Sequence, residues 1–189
     1  MRVDVLSGRG DDAVMRQFVL SIVLVLMVSG SASAASLNVV GGQLLGASGV
    51  AVGGNLYDVQ FMDGTCIDLY DGCDEASDFT FTDFASASLA AQALLDQVFL
   101  DGASGNFDTS PHLTTGCETT TECYSHTPYE VAISNLQAAL AFNGYATGER
   151  YGDGAPITWN GVNTFASDEA SLHNYAVWTH TRTLCQKAA

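Results

Sequence analysis

Residues 127–144 read TPYEVAISNLQAALAFNG, and the element they form decides how the rest of the chain is arranged. Local chemistry favours a helix. Thr127 suits the N-cap. Pro128 would fill the first helical position, where its missing N–H costs nothing, and Glu130 stands three residues after Thr127, as a capping box requires. Tyr129, Ile133, Leu136 and Leu140 then share one face at helical spacing, and Asn143-Gly144 would end the run. The spacing predicts a helix from Thr127 to about Asn143.

Upstream, the periodicity is of two kinds. Ala91, Leu94, Leu95, Val98 and Phe99 form an apolar stripe, which predicts a helix capped by Ser86 or Ser88, running to about Leu100 and ended by Asp101-Gly102. Earlier still, Val50-Ala51-Val52 and Asn55 to Met62 flank Gly53-Gly54, the signature of a two-residue hairpin turn. Tyr57, Val59 and Phe61 alternate with Asp58 and Gln60, as in a half-buried strand. Leu37 to Leu45, broken by Gly41-Gly42, supplies a further strand, and Phe79 to Thr82 a short one; after Asn143-Gly144, Gly, Asp and Tyr dominate until Ile157-Thr158-Trp159. Asn174 to Thr179 forms a last strand, with Trp178 on the face opposite Tyr175 and Val177. The Gly-, Ser- and Thr-rich segment Ala103 to Ser125 reads as a long loop. The fold class expected is α+β: a small antiparallel sheet with two amphipathic helices in a single domain spanning 35–178. An unstructured tail follows over 179–189.

The cysteines are placed between these elements. Residues 63–78, DGTCIDLYDGCDEASD, carry six acidic side chains and two cysteines. Cys66 and Cys73 are spaced C-x6-C, and Cys117 and Cys123 C-x5-C, while Cys185 stands alone near the end. Four cysteines allow three connectivities, and the short spacings favour the two local bridges, Cys66–Cys73 and Cys117–Cys123. Zinc would need tighter cysteine spacing and histidine partners. Asp68, Asp71 and Asp74 recur every third residue and raise the question of calcium, which takes six to eight oxygen ligands. The alternating pattern of an EF-hand loop is missing, so the stretch reads as an exposed acidic loop tied off by a disulfide, with a calcium site as the alternative. No cofactor or metal is implied.

The N-terminus points to export. Met15-Arg16-Gln17 is a short basic start, Phe18 to Val28 an apolar run too short to span a bilayer, and Ala32-Ser33-Ala34 a small-residue cleavage pattern. Residues 1–34 therefore read as leader and signal peptide, with Met15 an alternative start to Met1. Disulfides belong to an oxidising compartment, which agrees. The full chain of 189 residues carries 6 Lys and Arg against 21 Asp and Glu, a net charge of −15. Only Arg150, Arg182 and Lys187 remain as cations after cleavage. Such a surface repels phosphate backbones and anionic lipid heads, which excludes nucleic acid as a partner. No membrane span is expected in the mature chain.

Catalytic motifs are sparse. Gly46-Ala47-Ser48-Gly49-Val50 approaches a nucleophile elbow but lacks its last glycine. The histidines, His112, His126, His173 and His180, form no H-E-x-x-H, and His112 and His126 fall in the expected loop. Paired carboxylates stay open, because sequence spacing does not report their separation in space. Among the aromatics, Tyr57, Tyr175 and one tryptophan are expected in the core, and Tyr145 and Tyr151 exposed in a Gly-rich loop.

GGNLYDVQFMDGTCIDLYDGCDEASDFTF (53–81), AAQALLDQVFLDG (90–102) and NYAVW (174–178) resemble small exported bacterial proteins of the PEP-CTERM sorting-domain type, over about Leu37 to Trp178. The resemblance implies Gram-negative export and association with the cell surface or extracellular matrix, and supplies no catalytic residue. After Trp178 comes THTRTLCQKAA in place of the apolar sorting tail. The function expected is that of a secreted surface or matrix component, non-catalytic, acting by binding or as structure. A secreted hydrolase with paired carboxylates and a calcium-dependent adhesion module are the alternatives.

Overall fold

The computed structural model describes residues 34–144 and 153–181. Residues 1–33 of the expected leader and signal peptide, Tyr145, Tyr151, Cys185 and the tail beyond Thr181 lie outside the described residues. Asn55 to Met62 runs as the alternation predicts, whereas the single strand expected over Leu37 to Leu45 turns back at Gly41-Gly42, giving β1 (Ser36–Val40), a continuous β2 (Gln43–Val52) and β3 (Asn55–Met62). They form an antiparallel meander. Its second turn, Gly53-Gly54, has φ of 57° and 86°, the left-handed values that a tight hairpin turn needs and glycine supplies without strain. A short helix, α1 (Cys66–Leu69), follows, and then the one long helix among the described residues, α2 (Phe84–Gln97). Its cap is Asp83, whose Oδ1 accepts from the Ser86 N–H at 2.9 Å, so the helix starts earlier than Ser86 or Ser88 would have set.

The remaining strands are β4 (Asp101–Gly102), β5 (Gly105–Asn106), β6 (Glu122–Ala132), β7 (Asn135–Gly144), β8 (Gly154–Val162) and β9 (His173–His180). β4 and β5 pair as a separate two-stranded sheet. All others join one seven-stranded sheet in the order β1-β2-β3-β9-β6-β7-β8. Neighbours are antiparallel except β6 and β9, which run parallel and connect the two antiparallel halves. The sheet is therefore larger than the small one expected, and mixed.

The main correction falls on 127–144, which is the β6–β7 hairpin and no helix. Alternation explains it. Thr127 and Tyr129 point towards α2, where Thr127 accepts a hydrogen bond from the Trp178 indole N–H at 3.1 Å and Tyr129 joins the core. On β7, Ala139 and Ala141 point the same way, while Leu136 belongs to the cluster on the opposite face. Pro128 lacks a ladder N–H, and the register shifts between Pro128 and Glu130, so the gap falls at a bulge. Ile133, expected on the buried stripe, sits at the hairpin turn and is fully exposed. The capping pattern around Thr127 is a local preference that burial on two faces outweighs.

Two smaller corrections follow. Phe79 to Thr82 forms no strand, yet Phe79 and Phe81 are buried in the clusters on opposite faces. The expected tail at 179–189 is still ordered at its start, because Tyr57 pairs with His180 and the Thr181 N–H bonds the Leu56 carbonyl at 3.0 Å.

α2 covers one face of the sheet. Ala87, Ala90 and Ala91 of the helix share one buried cluster with Ala139, Ala141 and Ala176 of the strands, and side chains this small leave room for helix and sheet to approach closely. The other face is covered by the segments between β3 and α2 and between β8 and β9. There Cys66, Cys73, Phe79, Val131, Leu136 and Tyr175 form a second core, flanked by Tyr70, Trp159 and Phe165.

Candidate functional site

The second face is where polar chemistry collects. Strand geometry puts residues two apart on the same side, so Tyr124 and His126 of β6 project together, as do His173 and Tyr175 of β9. The order is reversed between the two strands, Tyr-x-His and His-x-Tyr. Their parallel register sets Tyr124 beside His173 and His126 beside Tyr175. The rings interlock accordingly: Tyr124 stacks on His173 with centroids 5.1 Å apart, and His126 lies 5.4 Å from Tyr175. Across the diagonal, His126 Nε2 and His173 Nδ1 are 2.8 Å apart, a hydrogen bond. Trp159 meets His126 edge-on at 4.5 Å and Phe165 lies 5.4 Å from His173, closing an aromatic wall around the pair.

One proton serves that bond, and burial fixes where it resides. His126 is wholly buried and its Nδ1 has no partner among the described residues. A buried N–H left unpaired is rarer and costlier than an unpaired acceptor. That cost favours the tautomer in which His126 carries its proton on Nε2 and donates to His173 Nδ1, with the lone pair at its own Nδ1. Burial pushes both imidazoles below their usual 6.5, and for His126 the neighbouring His173 adds to the effect. Behind them, the Tyr175 hydroxyl donates to the Phe165 carbonyl at 3.3 Å and the Tyr70 hydroxyl to the Ala176 carbonyl at 3.4 Å. Burial pushes both phenols above their usual 10. The cluster is thus neutral around pH 7, and of the two imidazoles only His173 reaches the surface.

Both cysteine pairs are disulfides. Cys66–Cys73 spans 5.7 Å between Cα atoms and Cys117–Cys123 5.6 Å, and all four residues are buried. The first bridge ties α1 into the second core, and the second holds the chain as it enters β6, next to Tyr124. The carboxylates between Cys66 and Asp78 are divided in their roles. Asp68 accepts from the Thr65 hydroxyl at 2.7 Å, and Asp78 from the N–H groups of Asp74 and Glu75 at 2.9 and 3.1 Å. Asp71 and Asp74 are exposed. Among the described residues, no three His, Cys, Asp or Glu side chains are grouped so as to hold a metal ion.

Asp63 differs from these. It leaves β3 at the junction with the Ser167 turn, where Ser167 Oγ donates to its Oδ1 at 3.2 Å and also lies 3.1 Å from the Gly64 N–H that it accepts. Burial pushes its carboxyl up, and the charges of Asp168 and Glu118 push it further, against the lowering effect of the Ser167 hydroxyl. Gly116 makes room for it: a Cβ there would come within 2.5 Å of Asp63 Oδ1 and 2.7 Å of Asn174 Cβ.

The aromatics expected in the core are there, with Tyr57, Tyr175 and Trp178 buried. His126, assigned by the sequence to a loop, is on a central strand. The pair of reversed motifs, Tyr-x-His at 124–126 and His-x-Tyr at 173–175, is the signal that could have marked the site. It becomes legible only once both segments are known to be strands. No protein-family model, curated protein or solved structure matches the chain.

Proposed function

We propose that this is an exported protein that works outside the cytoplasm as a non-catalytic binding or structural component of the cell surface or matrix. The observation that carries the reading is the pair of buried disulfides, bonds that form and persist in oxidising compartments. Both brace segments beside the histidine–aromatic face. Tyr124, Trp159, Phe165 and His173 are only half-buried there, and aromatic rings of this kind offer large contact area at low entropic cost. The net charge of −15 adds solubility outside the cell. Neither the disulfides nor any helix among the described residues points to a membrane span, since none is long and apolar enough to cross a bilayer.

The test is co-sedimentation of the oxidised, signal-cleaved protein with isolated cell envelopes and with extracellular matrix from a Gram-negative host. Binding that falls at least tenfold in Trp159→Ala, with circular dichroism unchanged, supports the aromatic face as the contact. Equal retention of both proteins would reject it.

A second reading, a hydrolase using paired carboxylates, has one specific observation in its favour. Burial pushes the Asp63 carboxyl up, and the charges of Asp168 and Glu118 add to the shift, the direction in which a general acid is tuned. Turnover of glycan or peptide substrates that disappears in Asp63→Asn would establish that reading over the first.

A further inference from the structure

We propose that the His126–His173 pair is an acid-sensitive latch across the parallel seam between β6 and β9. This goes beyond the binding role and does not depend on it. The seam joins the β1-β2-β3-β9 and β6-β7-β8 portions of the sheet through three residue pairs: Tyr124 with His173, Ser125 with Asn174 and His126 with Tyr175. Two of those pairs contain a member of the latch, and the 2.8 Å bond connects one strand to the other through side chains.

The geometry suits the neutral pair. A further proton on His173 Nδ1 would face the His126 Nε2–H, donor against donor at 2.8 Å. Moving the His126 proton to Nδ1 would relieve that clash but place an N–H where the described residues offer no partner. Among the described residues no carboxylate is placed to compensate a positive charge on the pair. The titratable groups facing the pair are Tyr124 on β6 and Tyr175 on β9, with Tyr70 beyond Tyr175. β8 and the segment before β9 contribute Trp159 and Phe165, which carry no charge, and β7 contributes Phe142 against Tyr124. Among the described residues no carboxylate acts on either imidazole. Charging the pair therefore either sets donor against donor across the 2.8 Å contact or leaves a buried N–H at His126 Nδ1 without a partner among the described residues.

The sign follows from proton linkage. Both imidazoles are held below 6.5 in the folded chain, so the unfolded chain takes up protons first as pH falls. The stability is complete above about 6.5 and is lost as pH drops towards the folded values, by about tenfold in the unfolding constant per pH unit for each imidazole that stays neutral. The carboxyls raised by burial, Asp63, Asp108 and Asp153, act in the opposite sense, gaining stability on acidification above their usual 3.8. A loss beginning near pH 6.5 is therefore the mark of the histidines.

The test is denaturant unfolding of the oxidised protein at pH 7.5, 6.5 and 5.5, beside His173→Gln and His126→Gln, with 15N-histidine NMR titration of the unaltered chain. We expect the unfolding constant to rise at least tenfold from pH 6.5 to 5.5, and to rise several-fold less over that interval in either variant, each of which keeps only one of the two imidazoles. The 15N spectra should show His126 as the Nε2–H tautomer, still neutral at pH 5.5. A flat wild-type profile, an equal slope in His173→Gln, or His126 titrating near 6.5 would each overturn the latch. If neither variant folds, the 15N titration alone decides.

Discussion

Ile133 stands at the turn of the β6–β7 hairpin with φ of 63° and its side chain fully exposed. A β-branched residue in the left-handed region is strained, because its Cβ crowds the backbone, by about 1–2 kcal/mol. Nothing is buried in return. Ile133→Gly is expected to stabilise the protein by about 1 kcal/mol, read as a rise of roughly 2–4 °C in Tm for a chain of this size. The Thr127–Trp178 bond makes the opposite case. Both residues are buried, and Thr127→Val keeps the shape while leaving the indole N–H unpaired. Denaturant unfolding should show a loss of about 1–3 kcal/mol. These residues argue the same point about the sequence. Trp178 was legible as facing away from Tyr175, since alternation alone says so, but its hydroxyl partner on a distant segment was not.

At the scale of elements, the decisive stretch was misleading because it satisfies helix rules locally. Thr127, Pro128 and Glu130 fit a cap, and Tyr129, Leu136 and Leu140 fit helical spacing. In the strands, however, Tyr129 faces α2 and Leu136 the second core. Two faces are buried, so no polar stripe betrays the period of two, and a run such as Ala138 to Phe142 reads equally as helix or central strand. The β1–β3 meander was legible for the converse reason: Tyr57, Val59 and Phe61 alternate with polar residues, and Gly53-Gly54 marks the turn. α2 was legible by its stripe, although its true cap, Asp83, was passed over for the serines behind it. The alanine contact between α2 and β7 gives the element-scale prediction. Ala139 is wholly buried, and Ala139→Leu would push helix and sheet apart, costing about 1–3 kcal/mol by overpacking. Ala85→Leu, on the exposed side of α2, should change the Tm little and serves as the control.

At the scale of the whole molecule, the two disulfides clip short loops against the second face. In the chain-entropy account, closing loops with sequence separations of 7 and 6 stabilises by roughly 2–2.5 kcal/mol each. Replacing Cys117 and Cys123 with alanine should lower the unfolding free energy by that amount. The change should fall on hydrogen exchange at the start of β6 before it reaches α2, since Cys123 lies within β6. The cysteine pairing was legible from spacing. The histidine cluster was not, because its members are 47 residues apart and depend on a parallel register that no local pattern announces.

The claim on which the functional reading turns is that the protein is exported and oxidised. It is tested most directly by expressing the full chain in a Gram-negative host, recovering it from outside the cytoplasm, and mapping its N-terminus and non-reduced peptides by mass spectrometry. The account predicts a chain beginning at Ala35 with Cys66 joined to Cys73 and Cys117 to Cys123. Protein retained in the cytoplasm with an intact N-terminus and free thiols at those four positions would contradict it.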